Sequence, residues 1–233
     1  VASVNYGNYH HIVVTRNQIT GQKIIYIDGQ FDSFSSGTTN LLSDTQKLTI
    51  GALANAGNPD PNDGSYYQGF AGEVDDLQIY SGVLSSNQVA QLFASPGTTV
   101  ANSGSGFGSG QSIVARYDFE DTNSPGGDSS GRGNDSNCGG GDGSTNYPDI
   151  FSTDAAVGSY SRDFQGHTFV CFQPPTDSFN NLSNALSGSF SVSAWVKTTQ
   201  SLNSVDDPAD AGAGILFADG ANTNSTVPLA ITG

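Results

Sequence analysis

Short stretches of β-branched or alternating apolar residues recur along the chain, with polar turns between them. Residues 11–16 (HIVVTR) are compact and β-branched, and residues 23–29 (KIIYIDG) end in an Asp-Gly pair, a strong signal for a hairpin turn. Residues 190–196 (FSVSAWV) alternate strictly, and residues 214–217 (GILF) have the composition of a buried strand. The pattern predicts an all-β protein.

Residues 70–80 (FAGEVDDLQIY) interrupt the regular alternation of a strand. Val74 has the opposite parity from Leu77 and Ile79, so a regular strand cannot point all three side chains inward. One extra residue in the Asp-Asp pair after Val74 would return all three to one face. The sequence therefore predicts a strand with a β-bulge at this pair.

One helix is predicted directly after this strand. Ser85 fits the N-cap position, and Gln88, three residues later, completes a capping box. Leu84 and Val89 occupy the positions of a hydrophobic staple. The helix should run for about two turns and end before Pro96, because proline cannot continue a helix.

A linker divides the chain into two segments that carry strands. Residues 96–112 (PGTTVANSGSGFGSGQS) have the Gly/Ser composition of a flexible linker. Residues 1–95 and 113–233 lie on either side of it. Within the second segment, residues 121–149 are rich in Gly, Asp, Ser and Asn, and we expect them to form a loop.

The net charge of the chain makes some classes of binding partner unfavourable. Acidic residues outnumber basic ones by 22 to 7, and the formal net charge is −15. Such a surface repels phosphate backbones and anionic lipids, so nucleic acids and membrane surfaces are poor partners. No apolar run approaches the roughly 20 residues of a membrane span. Divalent cations and neutral glycans would suit this charge.

The two cysteines, Cys138 and Cys171, lie in the second segment. In an oxidising compartment they would most simply form one disulfide, although two buried thiols are the alternative. The chain does not begin with Met, and we expect it to be processed or excised. An extracellular or cell-surface location is the prediction.

These segments resemble the two halves of a laminin-G-like, concanavalin A-like jelly roll of the bacterial, pentraxin-related type. The segments that resemble the late half of the family are 9–15 (YHHIVVT), 26–29 (YIDG), 50–51 (IG) and 70–85. Those that resemble its early half are 117–119 (YDF), 128–131 (DSSG), 164–166 (FQG), 190–196 and 215–216 (IL). The resemblance implies a jelly-roll β-sandwich with one short helix.

The family's two halves stand here in inverted order, with the late half at residues 1–95. One explanation is a circular permutation, in which the linker joins termini that lie close together. The other is completion of each sandwich between neighbouring chains, which builds a head-to-tail fibre. Both explanations remain open at this point.

The resemblance also extends to glucanases of this fold, whose catalytic strand reads Glu-x-Asp-x-x-Glu. Glu73 and Asp75 match its first two positions, but the third position is Gln78. Retaining hydrolysis needs two carboxyl groups, and an amide cannot donate and recover a proton at neutral pH. The sequence therefore predicts that the protein is not an enzyme.

Relatives of this type hold a structural Ca²⁺, and four aspartates resemble or lie near its ligands. They are Asp128 in the Asp-x-Ser-Gly loop, Asp76 or Asp75 in the bulged strand, and Asp118. Calcium takes six to eight oxygen ligands, which carboxylates and carbonyls supply. The alternative is that these are solvated loop aspartates. Ca²⁺ is the only cofactor predicted.

Two tyrosines are the predicted ligand-binding residues. Tyr66 and Tyr67 lie in a loop rich in Pro, Asn and Gly and could stack on a glycan or on a neighbouring subunit. The first hypothesis for function is an extracellular structural or adhesive module, a repeat or subunit of a head-to-tail filament, with copies of itself as partners. The alternative is a monomeric, circularly permuted, lectin-like domain that binds glycans.

Overall fold

Two antiparallel sheets organise the part of the chain that the computed structural model describes. Those residues are 3–42, 48–51, 70–100, 111–139, 150–165, 168, 170–172, 176–200, 213–218 and 226–231. The larger sheet has the strand order β3-β2-β1-β11-β5-β9-β8, and β6 also pairs with β5. Its strands are β1 (Tyr9–Arg16), β2 (Gln22–Ile27), β3 (Gln30–Ser36), β5 (Ala71–Ser81), β6 (Ser112–Tyr117), β8 (Phe151–Ser152), β9 (Ser161–Gln165) and β11 (Phe190–Lys197).

The smaller sheet has the strand order β13-β12-β4-β10-β7. Its strands are β4 (Leu48–Ile50), β7 (Cys138–Gly139), β10 (Val170–Phe172), β12 (Ala213–Ala218) and β13 (Thr226–Ile231). The structure also contains two helices in its described part, α1 (Ser86–Ala94) and α2 (Asp177–Ser187). The prediction of an all-β sandwich is confirmed.

The main hydrophobic core combines residues from both sheets. Leu48 and Phe172 of the smaller sheet join Ile12, Ile79 and Val192 of the larger sheet in one buried cluster. The face of the larger sheet that points toward this core is called the inner face below, and the opposite face the outer face. Burial of apolar side chains between the two sheets is the main force that holds them together.

Each sheet contains strands from both sequence segments. β1 pairs antiparallel with β11 along its whole length, from Tyr9 opposite Lys197 to Arg16 opposite Phe190. β5 also pairs with β11, and β4 pairs with β10 and β12. In this structure residues 1–95 and 113–233 therefore share one core within a single chain.

The predicted β-bulge is present in β5. The register between β5 and β11 shifts where Asp76 has a φ of +46°, in the left-handed region. Val74, Leu77 and Ile79 are all fully buried in the main core. The prediction from parity is confirmed, because the extra residue changes which face the following side chains occupy.

Helix α1 begins where the capping box predicts. The Ser85 hydroxyl accepts a hydrogen bond from the Gln88 backbone N–H, and the Gln88 side chain accepts from the Ser85 backbone N–H. Val89 and Leu92 are buried against the outer face of the larger sheet. The helix ends at Ala94, before Pro96, as expected.

The prediction of only one helix is wrong. Thr176 caps α2 by accepting a hydrogen bond from the Phe179 backbone N–H. Phe179, Leu182 and Leu186 are buried, and they follow the i, i+3, i+7 spacing of an amphipathic helix. The many Asn and Ser residues between them are weak helix formers, so packing of this apolar face against the core stabilises the helix.

The expected loop over residues 121–149 is also interrupted. Strand β7 pairs with β10, and Cys138 lies directly opposite Cys171. Cys171 is disulfide-bonded, and Cys138 is the only other cysteine in the chain. A strand of two residues carries no alternation, so the sequence could not reveal it.

Candidate functional site

The outer face of β5 carries the polar residues that the sequence singled out. Glu73 lies opposite Lys197 of β11, and Asp75 lies opposite Trp195. Gln78 lies opposite Ser193, beyond the bulge. The bulge therefore places carboxylates and an amide side by side on a face that turns away from the main core.

Asp75 is fully buried and is engaged by backbone groups. Its Oδ2 accepts hydrogen bonds from the N–H groups of Ala156 and Val157, at 2.9 and 2.8 Å. Burial raises the pKa of Asp75 to about 7, and the neighbouring carboxyl of Asp76 adds to the shift. The segment that supplies these N–H groups covers Asp75 and closes it off from solvent.

A second carboxylate holds the same covering segment. The Glu120 carboxylate accepts hydrogen bonds from the backbone N–H groups of Ser159, at 2.9 and 3.0 Å, and of Tyr160, at 3.0 Å. The segment between residues 154 and 160 is thus attached to the sheet through its own backbone donors. Such charge-assisted hydrogen bonds are stronger than neutral ones.

Glu73 lies in a half-buried ion-pair network. Lys197 Nζ is 3.1 Å from Glu73 Oε1 and 2.6 Å from Asp154 Oδ2. Tyr9 donates its hydroxyl proton to the Asp154 carbonyl oxygen at 2.7 Å, and Lys197 Nζ lies 5.7 Å from the centre of the Tyr9 ring. The hydrogen bond to Asp154 raises the pKa of Lys197.

Gln78 is held in place from three sides. Its Nε2 donates to Asp76 Oδ2 at 2.9 Å and to the Thr98 carbonyl at 3.0 Å. The Tyr80 hydroxyl donates to Gln78 Oε1. The side chain is therefore a fixed structural amide, and it cannot titrate in place of a catalytic carboxyl.

The β5 strand does not offer the paired carboxyl groups of a retaining glycosidase. Glu73 is paired with Lys197, Asp75 is covered by backbone donors, and Gln78 has no proton to exchange. A glycosidase needs one carboxyl as nucleophile and a second as acid and base, both open to the sugar. These side chains support a structural role.

Asp76 forms a deeply buried ion pair. Arg116 Nε lies 2.6 Å from Asp76 Oδ1, and the side chain of Asp76 is only 3% exposed. Burial raises the pKa of Asp76, while the hydrogen bond and charge of Arg116 lower it. Arg116 Nη1 also lies 4.0 Å from Asp118 Oδ2.

Asp128 organises its own loop. Its Oδ1 accepts from the backbone N–H groups of Arg116 and Ser130, both at 2.9 Å. Its Oδ2 accepts from the Asn134 backbone N–H, also at 2.9 Å. The carboxylate thus uses both oxygens to tie the loop after β6 back to that strand.

The four aspartates predicted as calcium ligands therefore divide into separate environments. Asp76 and Asp118 flank the Arg116 guanidinium, Asp128 receives the Arg116 backbone N–H, and Asp75 lies under the 154–160 segment. Both oxygens of Asp76 and both oxygens of Asp128 accept hydrogen bonds, whereas Asp75 Oδ1 is buried without a hydrogen-bond partner. A calcium ion at Asp76 or Asp128 would have to displace these donors. The described residues contain no cluster of three or more His, Cys, Asp or Glu placed to hold a metal. Calcium binding by this protein stays a prediction.

Residues 1–90 match the family model described as the concanavalin A-like lectin/glucanases superfamily. The resemblance stated from the sequence is confirmed for this segment, which contains β1 to β5 and the start of α1. Comparisons with curated proteins and with solved structures gave no match.

The tyrosines predicted to bind a ligand, Tyr66 and Tyr67, lie outside the described residues. The described part of the chain presents other aromatic rings. Phe31 and Phe34 of β3 are 59% and 65% exposed. The sequence reasoning missed them, although two phenyl rings in the otherwise polar segment QFDSFSS are a recognisable signal.

Both rings lie on the outer face, at the edge of the larger sheet. Phe34 pairs with Ile24 and Phe31 with Tyr26, and a register shift accommodates the residue between these pairs. Because Ile24 and Tyr26 are two residues apart on β2, their partners also share a face. The Phe31 ring packs edge-on against the Tyr26 ring, with 6.4 Å between their centres.

His11 lies on the same face, but it is buried. Its Nε2 lies 2.9 Å from Ser193 Oγ, and its ring lies 5.1 Å from the Trp195 ring. Phe93 of α1 stacks on Trp195 with ring centres 5.8 Å apart. Burial lowers the pKa of His11 to about 4, so the ring is neutral at physiological pH. Because His11 and Ser193 are both buried, a substrate cannot reach them, and their role is in packing.

In the described part of the chain, no helix is both long and apolar enough to cross a membrane.

Proposed function

We propose that this protein is a non-catalytic, extracellular binding module whose ligands are neutral glycans. The supporting observation is the pair of exposed phenyl rings, Phe31 and Phe34, side by side on the outer face of a domain whose superfamily includes lectins. Aromatic rings present flat apolar faces, which pack against the apolar faces of sugars. The structural roles of Glu73, Asp75 and Gln78 support binding without turnover.

Charge supports a neutral ligand. The formal net charge of −15 repels sulfated and sialylated glycans, whereas a neutral sugar approaches without a Coulomb penalty. Two large apolar side chains at a sheet edge are also costly to leave in water, which favours a contact role for them. The disulfide-bonded state of Cys171 supports an oxidising, extracellular compartment.

A glycan array tests the proposal directly. The wild-type protein should bind neutral glycans, and Phe31→Ser/Phe34→Ser should bind them about tenfold or more weakly, since each lost ring contact removes part of the binding free energy. Ile19→Ser is a matched control, because Ile19 is 80% exposed but lies in the turn between β1 and β2. Absence of any neutral-glycan binding, or equal loss in the control, contradicts the proposal.

Self-assembly is the second candidate, and the pairing of strands from the two segments favours it. Because β1 pairs with β11 along its whole length, the same contacts could form between the first segment of one chain and the second segment of the next. That arrangement would produce the predicted head-to-tail filament. Size-exclusion chromatography with light scattering tests it: a mass that rises with concentration supports assembly, and a constant 24.0 kDa contradicts it.

A further inference from the structure

Arg116 connects three of the aspartates that the sequence assigned to calcium. Its Nε lies 2.6 Å from Asp76 Oδ1, and its Nη1 lies 4.0 Å from Asp118 Oδ2. Its backbone N–H donates to Asp128 Oδ1 at 2.9 Å. A single residue thus contacts the carboxyl groups of β5, of the end of β6 and of the loop that follows.

These contacts join the two sequence segments. Asp76 belongs to the first segment, whereas Arg116 and Asp128 belong to the second. Gly97, just after α1, approaches the guanidinium closely: a Cβ there would lie 3.8 Å from Arg116 Nη2 and 2.8 Å from the Val157 side chain. Arg116 therefore lies where β5, the end of α1 and the 154–160 segment meet.

The buried carboxylate of Asp76 needs a positive partner. Its side chain is 3% exposed, and both its oxygens are occupied, by Arg116 Nε and by Gln78 Nε2. An arginine guanidinium is a permanent cation in proteins. A divalent ion at the same oxygens would have to displace the Arg116 hydrogen bond and would be repelled by the guanidinium charge.

We propose that Arg116 is the built-in cation of this domain, which replaces a structural divalent ion and makes the stability of the fold independent of calcium. This role in stability is separate from the proposed glycan binding. The hydrogen bonds that Asp76 and Asp128 accept support it.

The thermal unfolding midpoint of the wild-type protein provides the first test. It should be the same in excess CaCl₂ and in EGTA, because both oxygens of Asp76 and both oxygens of Asp128 already accept hydrogen bonds. Terbium luminescence should likewise be the same for the wild type, Asp76→Asn and Asp128→Asn, because neither carboxylate belongs to a terbium-binding site. A midpoint that rises with Ca²⁺, or a terbium site lost in those variants, overturns the proposal.

Substitution of the arginine provides the second test. Arg116→Met keeps the length of the side chain but leaves Asp76 buried without its cation, and the midpoint should fall by roughly 10 °C. Arg132→Met is the matched control, because Arg132 is exposed in the loop before Asn134. Its midpoint should stay within about 2 °C of the wild type.

A double variant separates loss of charge pairing from loss of packing. Asp76→Asn added to Arg116→Met removes the uncompensated carboxylate and should recover part of the lost midpoint. If the midpoint of the double variant falls by the sum of the losses in the two single variants, the charge role of Arg116 is contradicted. If Arg116→Met does not fold, the calcium and terbium titrations of the wild type still decide the proposal.

Discussion

Two patches on the outer face of the larger sheet are buried in different ways. The first, called the helix patch, is apolar and is covered by side chains of α1. Its residues are Val13, Tyr26, Tyr80, Leu84, Val89, Leu92 and Val100. The second, called the bulge patch, is polar and consists of Glu73, Asp75, Asp76, Gln78, Arg116 and Lys197.

The difference lies in what the covering element supplies. An α-helix satisfies its own backbone, so it can offer only side chains to the sheet, and the facing sheet residues are apolar. The 154–160 segment offers free backbone N–H groups, and the sheet meets them with the carboxylate of Asp75. The buried carboxylates of Asp75 and Asp76 thus have partners from the chain itself.

The largest expected loss of stability comes from a substitution that leaves a cavity in the helix patch. Leu92→Ala should reduce the free energy of unfolding by about 2–5 kcal/mol, because it removes a buried side chain and leaves a cavity under α1. Urea unfolding measures the change. Gln91→Ala, at an exposed position of the same helix, should change it by less than about 0.5 kcal/mol. Equal effects of the two substitutions would show that α1 is not packed on the sheet.

A pH series distinguishes the buried titratable groups of the outer face. His11 has its pKa lowered from 6.5 to about 4, so between these values only the unfolded chain binds its proton, and stability rises with pH. Asp75 has its pKa raised from 3.8 to about 7, so the folded chain keeps the proton longer, and stability falls as pH rises. The two contributions oppose each other, and each amounts to at most roughly 3–4 kcal/mol.

The wild-type stability should therefore change little between pH 4 and 6.5 through these two groups. His11→Gln should give a protein that loses stability as pH rises, and Asp75→Asn one that gains stability as pH rises. Urea unfolding across pH 4 to 7 measures the slopes. Parallel profiles for the three proteins would refute the assignment.

The smallest expected effect is at the exposed end of the bulge patch. Lys197→Met should lower the free energy of unfolding by less than about 1 kcal/mol, and by still less at high salt, because Asp154 is 59% exposed and the pair is screened. Lys23→Met, at an exposed position of β2, serves as control. A loss of several kcal/mol would mean that this end of the patch is as buried as Asp76.

The sequence by itself determined the features that depend on near neighbours along the chain. The parity of Val74, Leu77 and Ile79 predicted the bulge, and the spacing of Ser85 and Gln88 predicted the start of α1. Such patterns are readable because strand and helix geometry relate residues only a few positions apart. Helix α2 was missed, since its Asn and Ser residues outweighed the spacing of its three apolar ones.

Only the tertiary structure decided which groups partner the carboxylates. Asp75 meets Ala156 and Val157, about eighty residues later in the chain, and Asp76 meets Arg116, forty residues away. These partners are set by the order of the strands in the sheet, which short-range patterns do not contain. The carboxylates were visible in the sequence, but the arginine and the backbone donors that contact them became visible only when distant strands were placed side by side.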